Sequence, residues 1–332
     1  MTRTGPWEVV STCSRVVVDT DGGIDDLVAL WFLATAAEVE LCAVIATGIG
    51  RPAVVVARNV GMLLKSLGRD DVPVVLGADR PTGTAPRVEP APLHGAEGIG
   101  ALRPWTTPGP PSTAGPAELL SALGHDAPVH LVTLGPLSTV AGLLPVASAR
   151  EAVGGLTIMG GAIRTGGNAL PAAEANIARD PRAAARVLAH PWSVPTRIVC
   201  LDATLRATLG PAELALFGPG IPAGEILRAL LDHYRAYSPD PEHFACHDLF
   251  ASVVSVQPEV AHFERAPITV DCGESAAWGM TVADPRPPGS ARPPGTRWRV
   301  WEIATGADTT GFRSVVARAA ENAGRPHFRC LP

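Results

Sequence analysis

Apolar positions along this chain fall into short, β-branched runs that alternate with longer stretches of helical spacing. Val16-Val17-Val18 is the first such run and predicts a buried strand; the apolar stretch from Leu27 to Leu30 predicts the helix behind it. Val39 to Thr47 predicts a second strand, Ala53 to Leu67 a helix closed by Gly68, and Val72 to Leu76 a short strand. Val129 to Leu134 and Leu156 to Met159 predict further strands, with a helix from Leu137 between them and Gly160-Gly161 after the second. A helix begins near Pro181, a good first-turn residue, and Val194 to Leu201 predicts a strand. Helices follow at Ala223 to Tyr237 and Asp248 to Val254, β-like segments at Ile268 to Cys272 and Arg297 to Ile303, and a last helix at Gly311 to Asn322. The Pro/Gly-rich stretches Arg80 to Pro116 and Asp284 to Pro294 read as loops. No internal repeat is visible. The alternation predicts an α/β protein, a single domain over residues 1–332, with a mostly parallel, doubly wound (Rossmann-like) sheet and helices on both faces.

Composition narrows the function. The 332 residues are 46% hydrophobic and 18% charged, enough for a sizeable core and too apolar for disorder. A net charge of −5, with no basic block, argues against a nucleic-acid surface. No stretch approaches the ~18 uninterrupted apolar residues of a membrane span. Met1 to Pro6 carries no apolar signal core, so a cytoplasmic protein is expected. Lys65 is the single lysine, so Schiff-base or P-loop chemistry would have to use a residue at an ordinary helix end. The six cysteines show no C-x-x-C pair and no zinc spacing; several lie in apolar strands, where buried free thiols are common.

Chemistry concentrates where the first strand ends. Asp19, Asp21, Asp25 and Asp26 lie within eight residues, around Gly22-Gly23, which reads as a tight strand-to-helix turn. A helix cap needs one acid; this segment has four. Clustered carboxylates repel, and a hard cation with oxygen ligands is the simplest neutraliser. In a doubly wound sheet the strand C-termini converge on one rim, where ligands bind. Leu134-Gly135-Pro136-Leu137, Met159-Gly160-Gly161, Asn168, Glu174, Asn176 and His247-Asp248 all follow apolar strands or open a helix, so they can meet the acids there. Taken singly, His247-Asp248 reads as a helix-start cap and the asparagines as turn residues. His94, in a Gly-rich loop, reads as structural or a loop contact.

The order of these motifs, from Asp-x-Asp-x-Gly-x-Asp-Asp through His-Gly-x-x-Gly-x-Gly, Leu-Gly-Pro-Leu, Met-Gly-Gly, Asn-x-x-x-x-x-Glu-x-Asn and His-Asp to Gly279-Met280-Thr281-Val282, resembles the inosine–uridine-preferring nucleoside hydrolases. The resemblance runs from Arg15 to at least Asp284. It implies a Ca²⁺-dependent enzyme that hydrolyses the N-glycosidic bond of a ribonucleoside to ribose and free base. It implies Asp21, Asp26, Asp248 and the main-chain carbonyl of Leu134 as Ca²⁺ ligands, and Asp21 also as the base that activates water. Asp25, Asn168, Glu174, Asn176 and Asp248 are similar to the residues that contact the ribose hydroxyls, and His247 to the acid that protonates the leaving base; Asp19 matches a residue that organises the loop. Members are usually homodimers or homotetramers. The chemistry agrees: cleavage builds oxocarbenium charge that carboxylates stabilise, and a His near neutral pKa suits a leaving base.

Two positions depart from the family. Ile49-Gly50 stands where a Gly-Asn pair is usual, and Glu174-Ala175-Asn176 lacks the family's central aromatic. Both predict a wider, less polar pocket and a substrate modified or bulkier at the ribose, with poor turnover of inosine and uridine. Two other functions fit parts of the pattern. A haloacid-dehalogenase-like phosphatase would use Asp19-Thr20-Asp21-Gly22 but needs a downstream lysine. A catalytically weak Ca²⁺-dependent nucleoside- or sugar-binding protein would have no use for a proton donor at His247.

Overall fold

The structure, a computed structural model, describes residues 13–83, 88 and 92–323. The Met1 to Pro6 segment, Cys330, and residues 84–87 and 89–91 of the first expected loop lie outside the described residues.

The strands are β1 (Ser14–Thr20), β2 (Val39–Ala46), β3 (Val74–Leu76), β4 (Val129–Thr133), β5 (Val153–Met159), β6 (Thr196–Val199), β7 (Thr208–Leu209), β8 (Phe244–Ala245), β9 (Ala261–Val270), β10 (Thr281–Ala283) and β11 (Arg299–Ala307). The helices of the N-terminal half are α1 (Ile24–Thr35), α2 (Ala53–Ser66), α3 (Pro116–Gly124), α4 (Ser138–Leu143) and α5 (Ala147–Glu151). Then come α6 (Ala175–Arg179), α7 (Pro181–Ala189), α8 (Leu201–Thr204), α9 (Pro211–Leu216), α10 (Gly224–Arg235), α11 (His247–Val256) and α12 (Thr309–Ala323). Nine strands form one sheet in the order β10-β9-β11-β6-β5-β4-β1-β2-β3, and β7 and β8 pair separately. From β3 to β11 every neighbour is parallel; β9 is antiparallel to both β11 and β10. The expected mostly parallel, doubly wound sheet is what the chain forms.

Period-two alternation along β1 builds both faces of the sheet. Val16 and Val18 pack into the apolar cluster under α1, α2 and α10–α12; Val17 packs into the opposite one, under α3–α5 and α7. Helix α1 is buried from Ile24 to Leu33 and packs on α11, so it runs through the interior. β1 pairs with β2 on one side and β4 on the other, and the chain winds outward in both directions from there. The loops after β1 and β4 therefore flank the topological switch point, the crevice in which such sheets bind ligands.

Some bounds differ from expectation. β5 starts at Val153 rather than Leu156, because Gly154-Gly155 hides the strand pattern. β9 starts at Ala261, seven residues before the predicted Ile268; its outward His262, Glu264 and Arg265 are polar and Pro267 interrupts the run. Helices α3, α8 and α9 are too short or too mixed for periodicity to reveal. Cys42, Cys200, Cys246 and Cys272 are free thiols. Among the described residues no helix is long and apolar enough to cross a membrane.

Candidate active site

The acid cluster sits on the rim where β1 and β4 end. Gly22, at φ 68°, turns the chain from β1 into α1, in a backbone region that L side chains rarely adopt. A Cβ there would stand 2.8 Å from the Val56 Cγ1, and one on Gly23 2.7 Å from His94 Nδ1. The two glycines thus let α2 and the His94 loop close over the turn. Asp25 and Asp26 then fall in the first turn of α1. There the helix dipole offsets only part of their charge.

Asp25, Asp26 and Asp248 form one half of the cluster. All three are buried, and each offers an oxygen within 4.8 Å of the others. Asp26 accepts from Thr20 Oγ1 and from the Gly23 N–H at 2.9 Å. Asp248 arrives from the first turn of α11, whose start follows the β7–β8 pair. Asp25 accepts from Tyr234 Oη at 3.3 Å and lies 3.7 Å from His94 Nδ1. Burial, then repulsion from Asp21 and Asp25, pushes Asp26 well above the usual carboxylate range. Burial, then Asp25 and Asp26, does the same to Asp248. No Lys or Arg is paired with these three carboxylates among the described residues. Such an arrangement of buried oxygens without a counter-charge fits a hard divalent cation. The carbonyl of Leu134 already accepts from Asn176 Nδ2 at 2.7 Å and retains a second lone pair.

Asp21 belongs to a different electrostatic setting. Its Oδ2 accepts from Arg179 Nη1 at 2.7 Å. Arg51 Nη1 donates to the Asp21 carbonyl at 2.6 Å and lies 3.9 Å from Oδ1. Both guanidiniums are buried, with side chains only 6% and 7% exposed. Arg51, the residue after Gly50, thus brings a guanidinium to the acids. Asp19, one turn of the pleat below, is held by Thr47 Oγ1, and burial raises its pKa to about 7.

Glu174 caps α6, accepting from the N–H groups of Gly161, Asn176 and Ile177 at 3.0, 2.8 and 3.2 Å. That cap explains how Asn176 is aimed at Leu134. Asn168 accepts from the Ala175 N–H at 3.0 Å, which brings it beside the α6 start. His247 shares a 2.7 Å hydrogen bond between Nδ1 and Thr204 Oγ1, leaving Nε2 as its other ring nitrogen. Burial lowers its pKa and Asp25 raises it, the first effect being the larger. His94 Nδ1 accepts from the Ile24 N–H at 3.1 Å, so this loop contact reaches the α1 start.

The fold thus brings the β1 turn, Leu134, the α6 residues and the α11 start to one rim. Sequence reasoning missed Arg51, Arg179, Tyr234 and Thr204. No motif signals them; each meets the cluster from a loop or helix distant in sequence. The remaining lysine reading fails on geometry: Lys65 Nζ donates to the Thr107 carbonyl at the surface.

Comparison with known proteins agrees with this arrangement. Residues 16–314 match the family described as inosine-uridine preferring nucleoside hydrolase. The chain is 32% identical over 278 residues to the pyrimidine-specific ribonucleoside hydrolase RihA of Klebsiella pneumoniae, covering 81% of this chain and 88% of that one. It is 31% identical over 323 residues to the non-specific ribonucleoside hydrolase RihC of Salmonella schwarzengrund, covering 96% and 98%. A solved plant nucleoside hydrolase superposes with a TM-score of 0.83 at 25% identity, covering 92% of this chain and 98% of its own. With the match spanning nearly the whole chain and the acid cluster standing at the switch point, the protein belongs to the inosine-uridine preferring nucleoside hydrolase family, enzymes that hydrolyse the N-glycosidic bond of ribonucleosides.

Proposed function

We propose that this enzyme is Ca²⁺-dependent and that Asp21, Asp26, Asp248 and the Leu134 carbonyl hold the ion, with Asp25 beside it. The observation that carries the reading is the buried Asp25–Asp26–Asp248 group, which has no Arg or Lys partner among the described residues. When bound, Ca²⁺ would orient water and the ribose hydroxyls and offset the carboxylate repulsion. Asp21 takes a proton from the attacking water. Asp25, Asp248, Asn168, Glu174 and Asn176 bind the ribose hydroxyls, and the nearby carboxylates stabilise positive charge as the C–N bond breaks. Thr204 orients His247 through Nδ1, and Nε2 gives the proton to the departing base. Burial lowers the His247 pKa, which eases release of its proton and also leaves less of the imidazolium near neutral pH.

The relatives' names divide between pyrimidine-specific and non-specific enzymes, which supports a ribonucleoside substrate and leaves the base to the assay. Ala175 in place of an aromatic supports a nucleoside bulkier at the ribose. The family resemblance supports a homodimer or homotetramer in the cytoplasm. One experiment tests the core of this: ribose release from inosine, uridine and cytidine, with and without chelator, beside metal analysis. About one Ca²⁺ per chain and chelator-sensitive release are expected. Full activity in metal-free protein overturns Ca²⁺ dependence. Nucleoside binding without ribose release would favour the binding-protein reading.

A further inference from the structure

We propose that Arg179 is a positioning residue that supplies Asp21 with a counter-charge from within the chain, and so sets the affinity of the site for its cation. This rests on the Ca²⁺ reading above. It goes beyond that reading by assigning a cationic residue that works against the metal.

The asymmetry of the cluster carries the inference. Asp25, Asp26 and Asp248 have one another and no paired Arg or Lys among the described residues. Asp21 has a full ion pair with Arg179 at 2.7 Å and a second guanidinium, Arg51, at 3.9 Å. These arginines are committed to Asp21 rather than to the surface. Arg179 ends α6, three residues beyond Asn176, which bonds to the Leu134 carbonyl, so one short helix places both the guanidinium and the amide. The Nε atoms of Arg51 and Arg179 are buried with no hydrogen-bond partner. A buried guanidinium left partly unsatisfied is costly, and its retention beside a carboxylate is explained by charge compensation. With Oδ2 taken, Asp21 presents Oδ1 alone to whatever binds at the rim. A fixed positive charge beside a divalent cation also repels it, and the interior screens that repulsion weakly.

The test is Ca²⁺ affinity, measured calorimetrically on chelator-stripped full-length protein, with Ca²⁺-induced thermal stabilisation as a second readout. Arg179→Gln, which removes the charge and keeps a donor, should tighten Ca²⁺ binding by about tenfold or more. Arg179→Lys should return the affinity to that of the wild type, which a purely space-filling role would not require. If Arg179→Gln fails to fold, Arg179→Met, which keeps the apolar stem and removes the charge, takes its place. It too should tighten Ca²⁺ binding by about tenfold. Unchanged or weaker binding in folded Arg179→Gln overturns the inference and leaves the Ca²⁺ reading intact. So does unchanged or weaker binding in folded Arg179→Met. Wild type that binds no Ca²⁺ beside an Arg179→Gln protein that does would support it. Absence of binding in every variant at millimolar Ca²⁺ overturns both.

Discussion

The two halves of the acid cluster solve one electrostatic problem in opposite ways. Asp21 is neutralised by the chain itself, through Arg179 and Arg51. Asp25, Asp26 and Asp248 are left to repel one another, eased by Thr20, the Gly23 N–H and Tyr234. The lesson is that a buried carboxylate paired to a guanidinium contributes to folding only while both partners remain, whereas a crowded unpaired set works against folding until a cation arrives. Function and stability therefore part company on one side of the site and run together on the other.

The largest expected effect comes from the unpaired half. Asp26→Asn and Asp248→Asn should each lower kcat/KM on ribonucleosides by about 10³-fold or more, with loss of bound Ca²⁺. In chelator-treated protein the same changes should leave the melting temperature unchanged or raise it, because a neutral amide relieves the repulsion. A metal-free protein that melts lower on these substitutions would break the contrast. Next, His247→Ala should slow natural ribonucleosides by about 10²–10⁴-fold. A p-nitrophenyl riboside, whose leaving group needs no proton, should slow far less; equal losses would give His247 a structural or sugar-binding role.

The paired half responds in stability. Asp21→Ala strands Arg179 in the interior and should cost about 3–5 kcal/mol by denaturant unfolding of metal-free protein. A cost near zero would mean that Arg179 finds another partner and that the ion pair is no structural feature. A buried group outside the cluster sharpens this by isolating burial alone. Burial, then the Arg197 charge, lowers the His130 pKa to about 4. The unfolded imidazole takes its proton at about 6.5, the folded one only near 4, so stability is lost as pH falls through that window. The shift corresponds to about 3 kcal/mol. His130→Gln should flatten unfolding free energy between those pH values; an unaltered slope would assign it to other groups. The smallest effect is at Tyr234→Phe, which removes one 3.3 Å hydrogen bond to Asp25. It should cost about 0.5–1.5 kcal/mol in kcat/KM. A larger loss would make the hydroxyl part of the proton-transfer machinery.

The sequence by itself determined the alternation of strands and helices, the Asp cluster at the first strand-to-helix turn, and the order of motifs that marks the family. Local periodicity and turn chemistry suffice for these, because Val16 to Val18, Gly22-Gly23 and the apolar face of α2 state their roles within a few residues. Only the tertiary structure decided which charges meet. Nothing local to Arg51 tells that the loop after β2 turns its guanidinium onto Asp21. Arg179, which ends α6, and Tyr234, on α10, carry no local signal either. Their roles depend on Coulomb and hydrogen-bond contacts across 30 to more than 200 residues of chain. Such contacts exist only once the parallel sheet has gathered its strand ends on one rim, which is why pattern and spacing are silent about them.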